Sequence, residues 1–379
     1  LLVGGHDSVA RHADEDGAAR YFSPVAARPR DRHNGRMSSP DPPAPDPLKV
    51  ARDPLWLPDR YDPGHDAVHF RRVSRADHDR ATFLTDEYLP ADAPRLVVRR
   101  GEAVAAAGEP GPVHFVFHSA YCCSTMLARA FDLPGVAMGL KEPVLLNDLV
   151  GWKHRGGKPA EIASVLDDGL ALLGRRFGAG EAVVIKPSNV VNSMLSAMLT
   201  VRPAARALLL HAPLRTYLAS IAKKGMWGRL WVRDLLVKQL RDGLGWPGFT
   251  TEDYLGLTDL QAGAIGWLAQ HALFARMAAK YPGRVRTLDS ATLMANPKAA
   301  MTALGKLFGL KLDAAAVVAG PAFTRHSKSG TDFGAAARAG EERDAAALHA
   351  DEIDKVAVWA EAVATSGGLG LVLPGALVR

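Results

Sequence analysis

One stretch constrains this chain more than any other. It runs Val113-His-Phe-Val-Phe-His, then Ser-Ala-Tyr-Cys-Cys, then Ser-Thr-Met-Leu-Ala-Arg129. The first six residues have the apolar content of a buried strand. The next five form a turn, and a helix opens at Ser124 and Thr125. A strand that ends where a helix begins aims several unpaired backbone N–H groups, and the positive end of the helix dipole, at one point. Phosphate and sulfate are the usual occupants of such a point. By itself the stretch is also an ordinary strand–turn–helix with a Ser N-cap. The segments that follow decide between the two.

From residue 112 onward, short apolar strands alternate with amphipathic helices, the pattern of a parallel sheet with crossover helices. Strands are predicted at His114–His118, Ala182–Lys186, Ala205–His211 and Val285–Asp289. Each is short and apolar, as strands covered on both faces are. Helices are predicted at Ser124–Phe131, Pro159–Phe177, Asn189–Leu199, Leu214–Lys223, Trp231–Asp242, Asp259–Lys280, Pro297–Leu307 and Asp351–Thr365. The fold class is α/β, a three-layer sandwich around a central, mostly parallel sheet. Residues 49–111, with one predicted strand at Arg95–Arg99, form an accessory N-terminal segment packed on a main domain at 112–379. Residues 1–48, which end in the proline-rich run Ser38 to Pro47, read as a disordered or non-native extension and linker.

Composition narrows the partners. The 379 residues are 48% hydrophobic and 23% charged, enough for a large core, and the formal net charge is +6. The basic residues are mixed with acids and form no long run. The charge therefore favours an anionic small molecule, and nucleic acid is not expected. The two cysteines, Cys122 and Cys123, are adjacent. They have no spacing for a metal or a fold-stapling disulfide, which fits a reduced, cytoplasmic setting. No apolar run approaches the ~20 residues that cross a bilayer.

Four later elements supply charge where an α/β sheet binds ligands, beyond the carboxyl ends of its strands. Gly139-Leu-Lys-Glu-Pro143 sets the carboxylate of Glu142 beside the ammonium of Lys141, a base with an electrostatic partner. Val183-Val-Ile-Lys-Pro-Ser-Asn189 puts Lys186 at a strand end. Leu208 to Lys224 is again strand, turn and helix, and carries His211, Arg215, Ser220 and Lys223. Thr324 to Phe333 is a small-residue loop with Lys328, Ser329 and Gly330.

In this order the elements resemble the sulfotransferases that use 3′-phosphoadenosine 5′-phosphosulfate (PAPS), over roughly residues 112–335. The resemblance implies a P-loop NTPase-like topology and sulfuryl transfer to a hydroxyl or amine of a small-molecule or peptide acceptor. The product nucleotide would be 3′,5′-ADP, and no metal would be required. Ala120, Tyr121, Cys122, Cys123, Ser124 and Thr125 match the position of the family's phosphosulfate loop. Glu142 lies at the spacing of its general base, and Lys186-Pro187 looks like its strand-end lysine. Ser220 matches its 3′-phosphate serine, and Lys328, Ser329 and Gly330 resemble its closing loop. Two departures stand out. Tyr121 and Cys123 replace the loop cation and glycine. His211 and Ala212 occupy the place of the 3′-phosphate arginine, with Arg215 one turn later. Two other readings stay open: a non-catalytic or altered nucleotide-binding module of the same fold, and a nucleotide-dependent kinase. The second lacks the Gly-Lys-Ser/Thr of a phosphate loop.

Overall fold

The computed structural model describes residues 46–325, 340, 347 and 349–378. Most of the expected N-terminal extension, and Lys328, Ser329 and Gly330, lie outside the described residues.

Among the described residues, eight strands build two sheets. β1 (Trp56–Asp62), β2 (Ala67–Arg72) and β3 (Arg95–Arg99) form an antiparallel sheet in that order. β4 (Val113–His118), β5 (Ala137–Lys141), β6 (Ala182–Lys186), β7 (Ala207–His211) and β8 (Val285–Asp289) form a five-stranded parallel sheet in the order β5-β6-β4-β7-β8. The chain enters at the central strand, β4. It builds β5 and β6 on one side, then crosses to β7 and β8 on the other. That reversal on either side of β4 is a topological switch point, where a crevice opens beyond the strand ends.

Side chains alternate between two cores, as pleating requires. Phe115, Phe117, Val183, Ile185 and Leu209 face one core. Val116, Val184, Leu208 and Leu210 face the other. Helices Val144–His154 and Pro159–Leu173 cover the first, while Ser124–Arg129 and Leu214–Lys223 cover the second. The long helix Asp259–Lys280 serves both, with Leu260 to Leu268 on the second and Phe274 and Met277 on the first. The α/β three-layer arrangement is therefore the fold. Gly139 lets Ser124–Arg129 lie against β5, because a Cβ there would sit 2.1 Å from the carbonyl oxygen of Ala128.

The N-terminal segment shares the first core, into which Val50, Trp56, Leu57 and Phe70 pack. Arginines fasten it, among them Arg175 and Arg75. Arg175 is buried and donates to the carbonyls of Ala51 (2.8 Å), Asp53 (3.0 Å) and Leu172 (2.7 Å), and also to that of Trp56. Arg75 reaches Asp132 and Glu181 beside β5 and β6. β1 and β2 were not expected from sequence. Pro58, Asp59, Arg60 and Asp62 interrupt the alternation of β1, and its register shifts between Pro58 and Arg60. β5 was also unexpected as a strand, since Gly139 sits at its centre. Two helices differ as well. Gly225–Arg241 begins six residues before the expected Trp231. Asn189–Met194 is a 3-10 turn that leads into an α-helix at Leu195–Val201. The C-terminal tail flanks β8: Thr287 N–H donates to Gly375 O (3.0 Å) and Leu377 N–H to Thr287 O (2.8 Å). Among the described residues, no helix is long and apolar enough to cross a membrane.

Candidate functional site

The loop after β4 is wound in left-handed backbone. Ala120 (φ 73°), Tyr121 (φ 50°) and Cys123 (φ 62°) all have positive φ without being glycine. Each such residue costs of order 1–3 kcal/mol, which persists only where surrounding contacts impose it. The contacts are visible. Ser119 N–H donates to Leu210 O (3.1 Å), and Ala212 N–H on the next strand's exit donates to Ser119 Oγ (3.1 Å). Ala120 N–H donates to Nδ1 of His118 (3.0 Å). The helix then starts with Leu127 N–H on Cys123 O (3.0 Å), so the N–H groups of Ser124, Thr125 and Met126 precede the first helical bond.

Beside this loop, β5 and β6 end in register at Lys141 and Lys186. Glu142 follows in left-handed backbone (φ 57°), with its N–H on Lys186 O at 2.7 Å. That turn swings its carboxylate onto Lys186, whose ammonium donates to Glu142 Oε1. Lys186 is 1% exposed and Glu142 8%. The ammonium also lies 4.9 Å from the centre of the Phe83 ring, contributed by the N-terminal segment. Dehydrating such a pair costs several kcal/mol per ion, so its presence at a strand-end crevice marks a functional-site candidate. His118 completes the group. Its Nδ1 accepts from Ala120, so Nε2–H donates to Pro187 O (3.1 Å). Burial, then the charge of Lys186, hold its pKa well below the usual value. The ring is neutral and lies 3.7 Å from Glu142 Oε1. Its role is to tie the β4 loop to the β6 exit.

The other nominated residues are distributed differently. Cys122 is buried, its Sγ donating to Leu210 O (3.6 Å), and burial pushes its thiol up to about 12. Tyr121 packs edge-on against Tyr217 (5.8 Å) and Trp231 (5.4 Å). His211 sits at the end of β7, 3.7 Å from Asp289. Arg215 does not join the loop: its guanidinium pairs with Asp354 and approaches Glu361 (3.9 Å) on the C-terminal helix Ala350–Ser366. Ser220 Oγ donates to Thr216 O in its own helix (2.9 Å). Lys141 and Arg129, the cations nearest the loop in sequence, turn toward the N-terminal segment. Lys141 donates to His78 O and Asp79 O (3.3 Å), and burial lowers its pKa to about 7. Arg129 donates to Arg80 O (3.2 Å).

Sequence reading missed Phe83, Asn192 and Tyr217. Asn192 Nδ2 bonds both His118 O (2.9 Å) and Gln270 Oε1 (2.8 Å), locking the base of the loop. Its signal was a polar residue inside an apolar helical run. Tyr217 is fully buried, and its hydroxyl has no hydrogen-bond partner. Phe83 left no signal, because nothing local links residue 83 to a strand end a hundred residues later. Among the described residues, no group of three or more His, Cys, Asp or Glu is placed to hold a metal. No protein-family model matches the chain, and no curated protein matches it.

Proposed function

We propose that the protein transfers a sulfuryl group from a nucleoside 5′-phosphosulfate, the class to which PAPS belongs, to a hydroxyl or amine acceptor. The observation that carries this reading is the buried Glu142–Lys186 pair beside a left-handed loop at the switch point of a parallel sheet. In this mechanism the acceptor oxygen or nitrogen forms a bond to sulfur as the bond from sulfur to the bridging phosphate oxygen breaks. Glu142 takes the acceptor proton on Oε2, since Oε1 is held by Lys186. Lys186 and the N–H groups of Ser124 and Thr125 neutralise the charge that grows on the departing phosphate. Positioning and electrostatics dominate, as in phosphoryl transfer. The chemistry of these groups calls for no metal.

The test is transfer of labelled sulfate from phosphosulfate donors to a panel of phenols, alcohols and amines. Labelled product is expected. Tight magnesium-dependent ATP binding with no sulfate transfer would instead favour the kinase reading. A second reading has its own support: Arg129, Lys141 and Arg215 are all engaged away from the loop. That arrangement suits a module that binds a nucleotide without turnover. Calorimetric binding of nucleotide, with no transfer across the whole panel, is its signature.

A further inference from the structure

A second polar group lies at the other end of the same strand edge. His211 and Asp289 are register partners where β7 and β8 end. Asp289 Oδ1 caps the helix Ser290–Ala295, accepting from Ala291 N–H (2.7 Å) and Thr292 N–H (3.2 Å). That fixes the carboxylate and leaves Oδ2 facing His211 Nε2 at 3.7 Å. Only 8% of His211 is exposed, and its Nδ1 has no hydrogen-bond partner. Behind it the His271 ring packs edge-on at 5.1 Å. His271 is itself held by Leu371 O (2.8 Å) and stacked on Trp267 at 4.2 Å. Trp267 in turn donates to Ala212 O (3.0 Å). The His211 ring is therefore braced on one side while an unsatisfied nitrogen remains.

Among the described residues, the charges that flank His211 disfavour an anion. Burial lowers the pKa of both imidazoles, that of His271 to about 4, so both are neutral at pH 7. Arg215, four residues beyond His211, is committed to Asp354. A phosphate here would meet the Asp289 carboxylate. A hydroxyl, which both donates and accepts, matches a carboxylate oxygen beside a neutral ring that carries one donor and one acceptor nitrogen. With neighbouring strands about 4.8 Å apart, the pair lies roughly 5–10 Å along the strand edge from the β4 loop, the span of one ribosyl phosphate.

We infer that the His211–Asp289 end of the crevice recognises a free ribose hydroxyl of a nucleoside 5′-phosphate ligand and rejects a phosphate at that position. The inference rests on the nucleotide reading above and names the donor class: a nucleoside 5′-phosphosulfate with its ribose hydroxyls free, for which adenosine nucleotides serve as probes. The test is calorimetry on the full chain with 5′-AMP and with 3′,5′-ADP, repeated on Asp289→Asn, which keeps the helix cap. 5′-AMP is expected to bind at least about tenfold tighter, and Asp289→Asn to narrow that gap several-fold by removing the repelling charge. Equal or tighter binding of 3′,5′-ADP, a gap unchanged in Asp289→Asn, or binding of neither nucleotide overturns the inference. Sulfuryl transfer is scored separately in the same preparations. Transfer from PAPS with 3′,5′-ADP preferred sinks this inference alone. A preference for 5′-AMP with no transfer sinks the transferase reading alone.

Discussion

The two ends of one strand edge solve different problems. At the β5–β6 end, full charges are buried together: Lys186 on Glu142, with Lys141, the register partner of Lys186, held by backbone carbonyls. At the β7–β8 end the groups are neutral rings and one partly exposed carboxylate, Asp289, whose side chain is 30% exposed. Under the proposed function, burial of charge at one end and of neutral polarity at the other would separate a place where charge develops from a place where hydroxyls are read. It also makes the two ends respond differently to the same kind of mutation.

The largest difference is in the cost of losing one partner. Lys186→Met leaves Glu142 buried and uncompensated, and is expected to cost about 3–5 kcal/mol in urea denaturation. Asp289→Asn keeps its cap and removes a half-exposed charge, so it should cost under ~1 kcal/mol. Equal costs would erase the distinction.

The next difference is in pH. Lys141 has a folded pKa lowered to about 7, so between pH 7 and about 10 the unfolded chain holds a proton that the folded chain lacks. The Lys141 contribution to stability then rises with pH across that window and is flat below it, and Lys141→Met should abolish the rise. At the other end His271 is lowered to about 4. Between pH 6.5 and 4 the unfolded chain takes up the proton, so stability falls as pH falls, and His271→Phe should blunt that loss. Thermal melts of the two variants against the parent across pH 4–10 separate the windows.

The smallest difference is in the backbone. Ala120 sits in left-handed conformation and Ala212, its counterpart after β7, does not. Ala120→Gly should gain up to about 1 kcal/mol by relieving strain, whereas Ala212→Gly should lose about 0.5–1 kcal/mol. A loss at both positions would mean that the β4 loop is not strained.

The sheet was legible in the sequence at Ala182–Lys186, an apolar run that ends in lysine, and at Val285–Asp289 despite Arg286 and Thr287; both have the predicted bounds. It was illegible in β1, where proline and charged residues break the pattern, and in β5, which has glycine at its centre. The β4 loop, Glu142 and Lys186 were nominated from local pattern, and the structure brings them together because parallel register aligns the strand ends. Side-chain direction was a different matter. The sequence placed Arg215 and Lys141 near the crevice, and Arg129 on the helix that opens there. Their partners, Asp354 and the carbonyls of residues 78–80, come from distant segments that no local pattern reveals. The left-handed turn at Glu142, which creates the ion pair, is equally invisible, since glutamate has no preference for positive φ.

The central claim is that the carboxylate held by Lys186 takes the acceptor proton. Its most direct test is the rate of sulfuryl transfer by Glu142→Gln, with nucleotide affinity measured on the same protein. The account expects kcat to fall by about a hundredfold or more while the nucleotide still binds. Full turnover by Glu142→Gln would contradict it.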